Sequence, residues 1–129
     1  MLSRRLTLAS IAALVMSAPA VAAPIQDFDS TVFRAAQAEG RPILVDAHAG
    51  WCPICAIQKP TLNKLAADPA FDRLLILRIN YDKQKEEKRA LRIARQSTLI
   101  AYNGARETGR SVGDVKAEKI TALARTALN

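Results

Sequence analysis

The 129-residue chain has only two cysteines, Cys52 and Cys55, three positions apart and directly preceded by the only tryptophan, Trp51. Two thiols at that spacing on the first turn of a helix close into a disulfide with little backbone movement. The bridge reopens under attack by another thiolate, so the chemistry is reversible dithiol/disulfide exchange. An inert structural bridge is the poorer reading, because so short a loop constrains the unfolded chain little. Haem attachment is excluded, since Ala56 rather than histidine follows Cys55.

Two further residues near the pair carry chemistry. Asp46 lies six positions before Cys52 in an apolar run. Burial there raises its pKa and suits it to take a proton; the alternative is an ion-paired strand end, with Arg78 as partner. His48 is the only histidine. With the two cysteines it would give three metal donors where a structural zinc site takes four, so it reads as a surface residue at a strand end. A metal-binding or metallochaperone module built on Cys52, Cys55 and His48 is the alternative function. The main reading expects no metal and no cofactor.

The motif needs a strand to end on and a helix to begin. Pro42, Ile43, Leu44 and Val45 form a short apolar run suited to a strand buried on both sides. The motif follows, opening a helix over 52–66 with Leu62, Leu65 and Ala66 inward and Pro60 kinking it. Upstream, residues 25–27 read as an edge strand or an arm. A helix then starts at Asp29 or Ser30, with Val32, Phe33 and Ala36 on its apolar face, and ends at Gly40. Downstream, Asp68-Pro69 starts a turn and 74–79 is a second buried strand. A charged helix over 84–95 follows, with Leu91, Ile93 and Ala94 on its apolar side. A strand over 98–102, an Asn103-Gly104 turn and a strand over 107–112 make a hairpin. Gly113 breaks it, and Asp114 caps a last helix bearing Ile120, Leu123, Ala124, Ala127 and Leu128. The order α-β-α-β-α-β-β-α implies an α/β domain with a central mixed sheet of about four strands and helices on both faces.

Residues 1–22 read as a cleaved signal peptide. Arg4 and Arg5 give the basic start, 6–16 the apolar stretch, and Ala18, Ala20, Ala22 and Ala23 the small-residue end, with cleavage after Ala22. The apolar run is shorter than the roughly 20 residues a membrane span needs, so no stable membrane insertion is expected after cleavage. Residues 23–129 form the domain, exported to a periplasm where oxidised thiols persist. The net charge of +7 becomes +5 without Arg4 and Arg5. Much of that excess lies on the 78–95 stretch, where Tyr81 is the sole aromatic and no nucleic-acid motif occurs, so no nucleic-acid partner is expected and the stretch reads as a solvated face.

Together these residues resemble the thioredoxin family across nearly all of 23–129. Asp46 stands six residues before the first cysteine, Trp51 directly before it and Pro60 eight after it. The strand Leu75-Ile76-Leu77-Arg78-Ile79-Asn80 and the closing Thr98-Leu99-Ile100, Asn103-Gly104 and Gly113 fall in the family's order. The resemblance implies a thioredoxin-like fold and an exported thiol–disulfide oxidoreductase of reductase or isomerase type. It would act as a monomer on protein disulfides together with a redox partner protein. Cys52, at a helix N-terminus that favours a thiolate, is the expected nucleophile. Cys55, one turn deeper and more buried, resolves the mixed disulfide into Cys52–Cys55, and Asp46 takes its proton through water. Trp51 shields the pair and helps form the docking surface.

Two departures from the family stand out. Ser97, within Gln96-Ser97-Thr98, occupies the usual cis-proline position. A cis bond before a non-proline residue costs about 3 kcal/mol, so a trans bond and a reshaped substrate loop are expected there. Pro53-Ile54 replaces the usual Gly-Pro between the cysteines. Ile54 offers the thiolate neither charge nor hydrogen bond, and an intermediate redox potential follows.

Overall fold

The computed structural model describes residues 25–129 together with Leu14. The proposed signal peptide over 1–22 lies outside the described stretch, Leu14 apart. Five strands, β1 (Gln26–Asp27), β2 (Pro42–His48), β3 (Leu75–Asn80), β4 (Thr98–Asn103) and β5 (Arg106–Val112), form one mixed sheet ordered β1-β3-β2-β4-β5. The pairings β1–β3 and β2–β3 are parallel, while β2–β4 and β4–β5 are antiparallel.

The sheet has five strands where about four are expected, because residues 25–27, read as an edge strand or an arm, do contribute an edge strand. Gln26 and Asp27 pair with Leu77 and Arg78, but both are exposed and two residues long, too short to show a period. At the centre, β2 is buried on both faces as expected, and it runs three residues further than the apolar stretch, through Asp46, Ala47 and His48. These pair with Arg78, Ile79 and Asn80 of β3. Asp46 therefore lies inside the central strand, with both its neighbours in register.

Alternation along β2 divides the core. Ile43, Val45 and Ala47 join Phe28, Phe33, Leu77, Ile79 and Ile93 on one face, over which α1 (Ser30–Ala38) lies. Leu44 joins Leu62, Leu65, Ile76, Leu99 and Ile120 on the other, covered by α2 (Pro53–Ala67) and α4 (Ala117–Thr126). Asp46, two residues from Leu44, shares this second face, under the helix that carries the cysteines. Helix α1 is capped by Asp29, whose Oδ1 accepts from the amides of Thr31 (2.8 Å) and Val32 (3.0 Å). Val32 itself is exposed, and Phe33 and Ala36 are the inward residues.

Two helix boundaries differ from the sequence expectation. Helix α3 covers only Lys85–Ala90. The chain turns out at Arg92, whose φ is +56°, and Arg110 binds the carbonyls freed at that end, those of Leu91 and Arg92, at 2.9 Å each. Helix α4 starts at Ala117 without a side-chain cap, because Lys116 rather than Asp114 stands at the capping position. Helix α2 runs unbroken through Pro60, whose ring leaves the Ala56 carbonyl without its usual amide partner. The 69–71 turn after Asp68 is a short 3-10 helix, capped by the Asp68 carboxylate.

Candidate active site

The cysteine helix begins where β2 ends. Cys52 is the N-cap of α2, and its Sγ accepts a hydrogen bond from the Cys55 amide at 3.1 Å. Pro53 fills the first helical position, where its missing N–H costs nothing. A sulfur that accepts an amide at a helix start is well placed to carry negative charge. Both cysteines are free here, the dithiol form of the pair. Cys55 was expected to be the more buried, but the two are nearly equal, at 2% and 1% exposed. Ala49, Ile54 and Tyr81 pack around them and cover both.

The Cys55 Sγ faces the Ala47 carbonyl at 3.8 Å. Burial pushes its thiol up to about 11, helped by the hydrogen bond with Cys52, while main-chain hydrogen bonds with Ala49 and Ser97 pull the other way. At neutral pH Cys55 is therefore a thiol that needs a base.

Asp46 is 1% exposed. Its Oδ2 accepts from Arg78 Nε at 2.9 Å, and its Oδ1 is buried with no partner. Burial raises the Asp46 pKa, and the Arg78 charge and hydrogen bond oppose this without cancelling it. The ion pair raised as an alternative thus exists, and it leaves one carboxylate oxygen unengaged. His48 is pushed down by burial, with Arg78 next and Asp46 opposing, so it belongs to the same charge cluster. Among the described residues it forms no metal-holding group with the cysteines.

Trp51 is 60% exposed and is fixed rather than free. Its Nε1 donates to Asp82 Oδ2 at 2.9 Å and Oδ1 at 3.1 Å, and its ring meets Tyr81 edge-on at 6.4 Å. The Tyr81 hydroxyl donates to the Ala94 carbonyl at 3.3 Å, and Lys88 Nζ sits 3.5 Å above its ring. Sequence reasoning missed Tyr81, Asp82 and Lys88. The available signal was the polar Asn80-Tyr81-Asp82 step where β3 ends, level with the end of β2.

Ser97 lies opposite the pair, buried, with φ +60°. No described peptide bond is cis, as expected for this step. Its amide donates to the Ala47 carbonyl (2.8 Å), its carbonyl accepts from Gly113 (3.0 Å), and its hydroxyl donates to the Gln96 carbonyl. Thr98, also buried, donates through Oγ1 to the Arg95 carbonyl at 2.7 Å. The carbonyls of Arg95, Gln96 and Ser97 are thus all bonded within the protein. Proline at 97 would require φ near −65° and would delete the bond to Ala47. Ser97→Pro should lose on the order of 3 kcal/mol of stability, read as a lower urea midpoint at unchanged slope. A wild-type midpoint would show that this loop accepts the family's residue without cost.

The family model for thioredoxin matches residues 21–126, most of the chain. The chain belongs to the thioredoxin family. It is 30% identical to the thioredoxin of Alicyclobacillus acidocaldarius subsp. acidocaldarius over 82 residues, covering 64% of this chain and 77% of that protein. It is 32% identical to the thiol:disulfide interchange protein DsbE of Yersinia pestis over 92 residues, 70% of this chain but 45% of that one. The bifunctional thioredoxin reductase/thioredoxin of Mycobacterium leprae matches at 27% identity over 89 residues, 69% of this chain and 19% of its own length. Several curated thioredoxin relatives are thus substantially longer than the stretch they share with this chain. Among solved structures, Trxlp from Edwardsiella tarda EIB202 superposes with a TM-score of 0.74 at 36% identity, over 77% of this chain and 96% of that one. The mixed sheet flanked by helices is the thioredoxin fold, here with five strands.

Proposed function

We propose that this protein is an exported thiol–disulfide oxidoreductase that reduces or isomerises disulfides of other exported proteins. Thioredoxin membership, with thioredoxin and thiol:disulfide interchange relatives, supports oxidoreduction in general. The single observation that carries the finer reading is the Cys52 sulfur at the start of α2, accepting the Cys55 amide, with its partner thiol three residues on.

In this reading the Cys52 thiolate attacks one sulfur of a protein disulfide. A Cys52–substrate disulfide forms and the first substrate thiolate leaves. Cys55 then loses its proton, with Asp46 Oδ1 as the oxygen that receives it through water, and attacks the Cys52 sulfur. The Cys52–Cys55 disulfide forms, the second substrate thiolate leaves, and two electrons have passed to the substrate. A separate redox partner protein reduces the pair again. Substrates meet the exposed Trp51 and the exposed Pro53, while Ile54, Ser97 and Thr98 shape the floor beside the sulfurs.

Export to the periplasm rests on Arg4, Arg5 and the apolar 6–16 run, and the protein is proposed to work there as a monomer after cleavage behind Ala22. The test is disulfide reduction by purified 23–129 protein with a dithiol as electron source. Turnover of a protein disulfide, and capture of mixed disulfides by Cys55→Ser, is the expected result; a protein inert in both would overturn the reading.

A further inference from the structure

Gln58 is the one fully buried polar side chain of α2, at 0% exposure, three residues beyond Cys55. Its Nε2 donates to the Ser97 carbonyl at 3.2 Å and to the Asp114 carbonyl at 2.9 Å. Both partners are acceptors, which fixes the amide's orientation. Its Oε1 is buried with no partner, a disadvantage that an apolar side chain of similar length would not carry. The donor end is what distinguishes glutamine here.

That donor grips a residue in an uncommon conformation. Ser97 is left-handed, and serine rarely holds φ near +60° unless its surroundings impose it. The Ser97 amide points at the Ala47 carbonyl (2.8 Å), and the Cys55 sulfur faces the same oxygen at 3.8 Å. A protonated Cys55 can share that oxygen with the amide. A thiolate cannot donate to it, and needs an N–H in its place.

We propose that Gln58 is a positioning residue for the resolving step: holding the Ser97 carbonyl, it keeps the Ser97 main chain against the Ala47 carbonyl that Cys55 also faces, so that the Ser97 N–H stands ready for the charge that sulfur carries as it attacks. The link runs from α2 through the Ser97 main chain back to α2. It rests on the reading of Cys52 and Cys55 as an exchange pair. The main-chain contact of Ser97 with Cys55, which eases ionisation of that thiol, agrees with it. The titratable groups on the elements around Cys55 are Cys52, Lys59 and Lys64 on α2, Asp46 and His48 on β2, Arg78 on β3, and Tyr81, Asp82 and Asp114 in the flanking loops. Gln58 is none of these, so its removal leaves their number unchanged.

The experiment uses the reduced protein and an aromatic disulfide whose thiolates absorb. Attack by Cys52 releases the first thiolate and attack by Cys55 the second, so the two steps are read separately. Gln58→Met should leave the first release unchanged and slow the second roughly 5- to 10-fold, less than the full worth of one hydrogen bond to a charge because the bond is weakened rather than deleted. The pH profile of the second release should move to higher pH. Equal second-release rates and profiles in variant and wild type would overturn the proposal. So would equal slowing of both releases, which would mean that Gln58 only supports the helix.

Amide exchange in the wild-type protein gives a readout that needs no variant to fold. The Ser97 and Gly113 amides should be protected, and exchange at exposed-loop rates would overturn the lock. A wild type that releases no thiolate at all would fail the functional reading instead, while the exchange result stood apart from it.

Discussion

Replacing Cys52 by serine should abolish disulfide exchange, by roughly three orders of magnitude or more, while leaving the protein folded. The loss is chemical. A serine hydroxyl is hardly ionised at neutral pH and no base beside it would activate it, so the nucleophile is removed outright. The fold is spared for local reasons. Cys52 is the N-cap of α2 and its sulfur accepts the Cys55 amide, and serine is among the preferred residues for that position and that bond. The side chain is small and the cluster of Ala49, Cys55, Ile54 and Tyr81 around it loses little volume. An unfolding midpoint within about 1 kcal/mol of wild type is expected. Activity lost with stability kept would place Cys52 in the reaction. A serine variant as active as wild type would remove the dithiol mechanism altogether.

The site was legible where residue type alone carries the signal. Cys52, Cys55 and Trp51 are each rare in the chain, and their spacing dictates the first turn of a helix. Asp46 was legible because a carboxylate stands out in a run of buried apolar residues. Its ion pair with Arg78 could be read only as an alternative, and its unpartnered Oδ1 not at all, because both depend on β2 and β3 being in register. Gln58 looked like any polar residue on a helix. Only the arrival of two loops over α2, bringing the carbonyls of Ser97 and Asp114 to one amide, gives it a role. The fold shows the same division. Strands β2, β3 and β4 were legible because burial on both faces gives continuous apolar runs. Strand β1 was legible only as an edge strand or an arm, since it is held by main-chain pairing with β3, and the early end of α3 was not legible, since it is closed by a distant arginine, Arg110.

Asp46→Asn should separate catalysis from stability, moving them in opposite directions. The Cys55 thiol is pushed up to about 11, so at neutral pH it attacks only if something takes its proton. Removing the base should slow the second step about 100-fold and leave capture by Cys52 unchanged. In the variant the second step should go on rising with pH toward the ionisation of Cys55, where the wild type has already levelled. Stability should change the other way. Burial raises the Asp46 pKa above the ordinary carboxylate range despite Arg78, so the folded protein binds a proton that the unfolded chain has released. Wild-type stability therefore falls as pH rises through that window, and above it the full cost of the buried charge persists. Asparagine carries no charge to bury and fits the same space. Arg78 loses its charge partner, but its side chain is 20% exposed and its Nε can still donate to the asparagine carbonyl oxygen. At neutral pH the variant should be more stable by about 1 kcal/mol, with the difference vanishing in acid. Urea unfolding at several pH values, run beside the two-step thiolate assay, checks both halves. A variant that is slower but also less stable would mean that the Arg78 ion pair, rather than proton transfer, is what Asp46 is kept for.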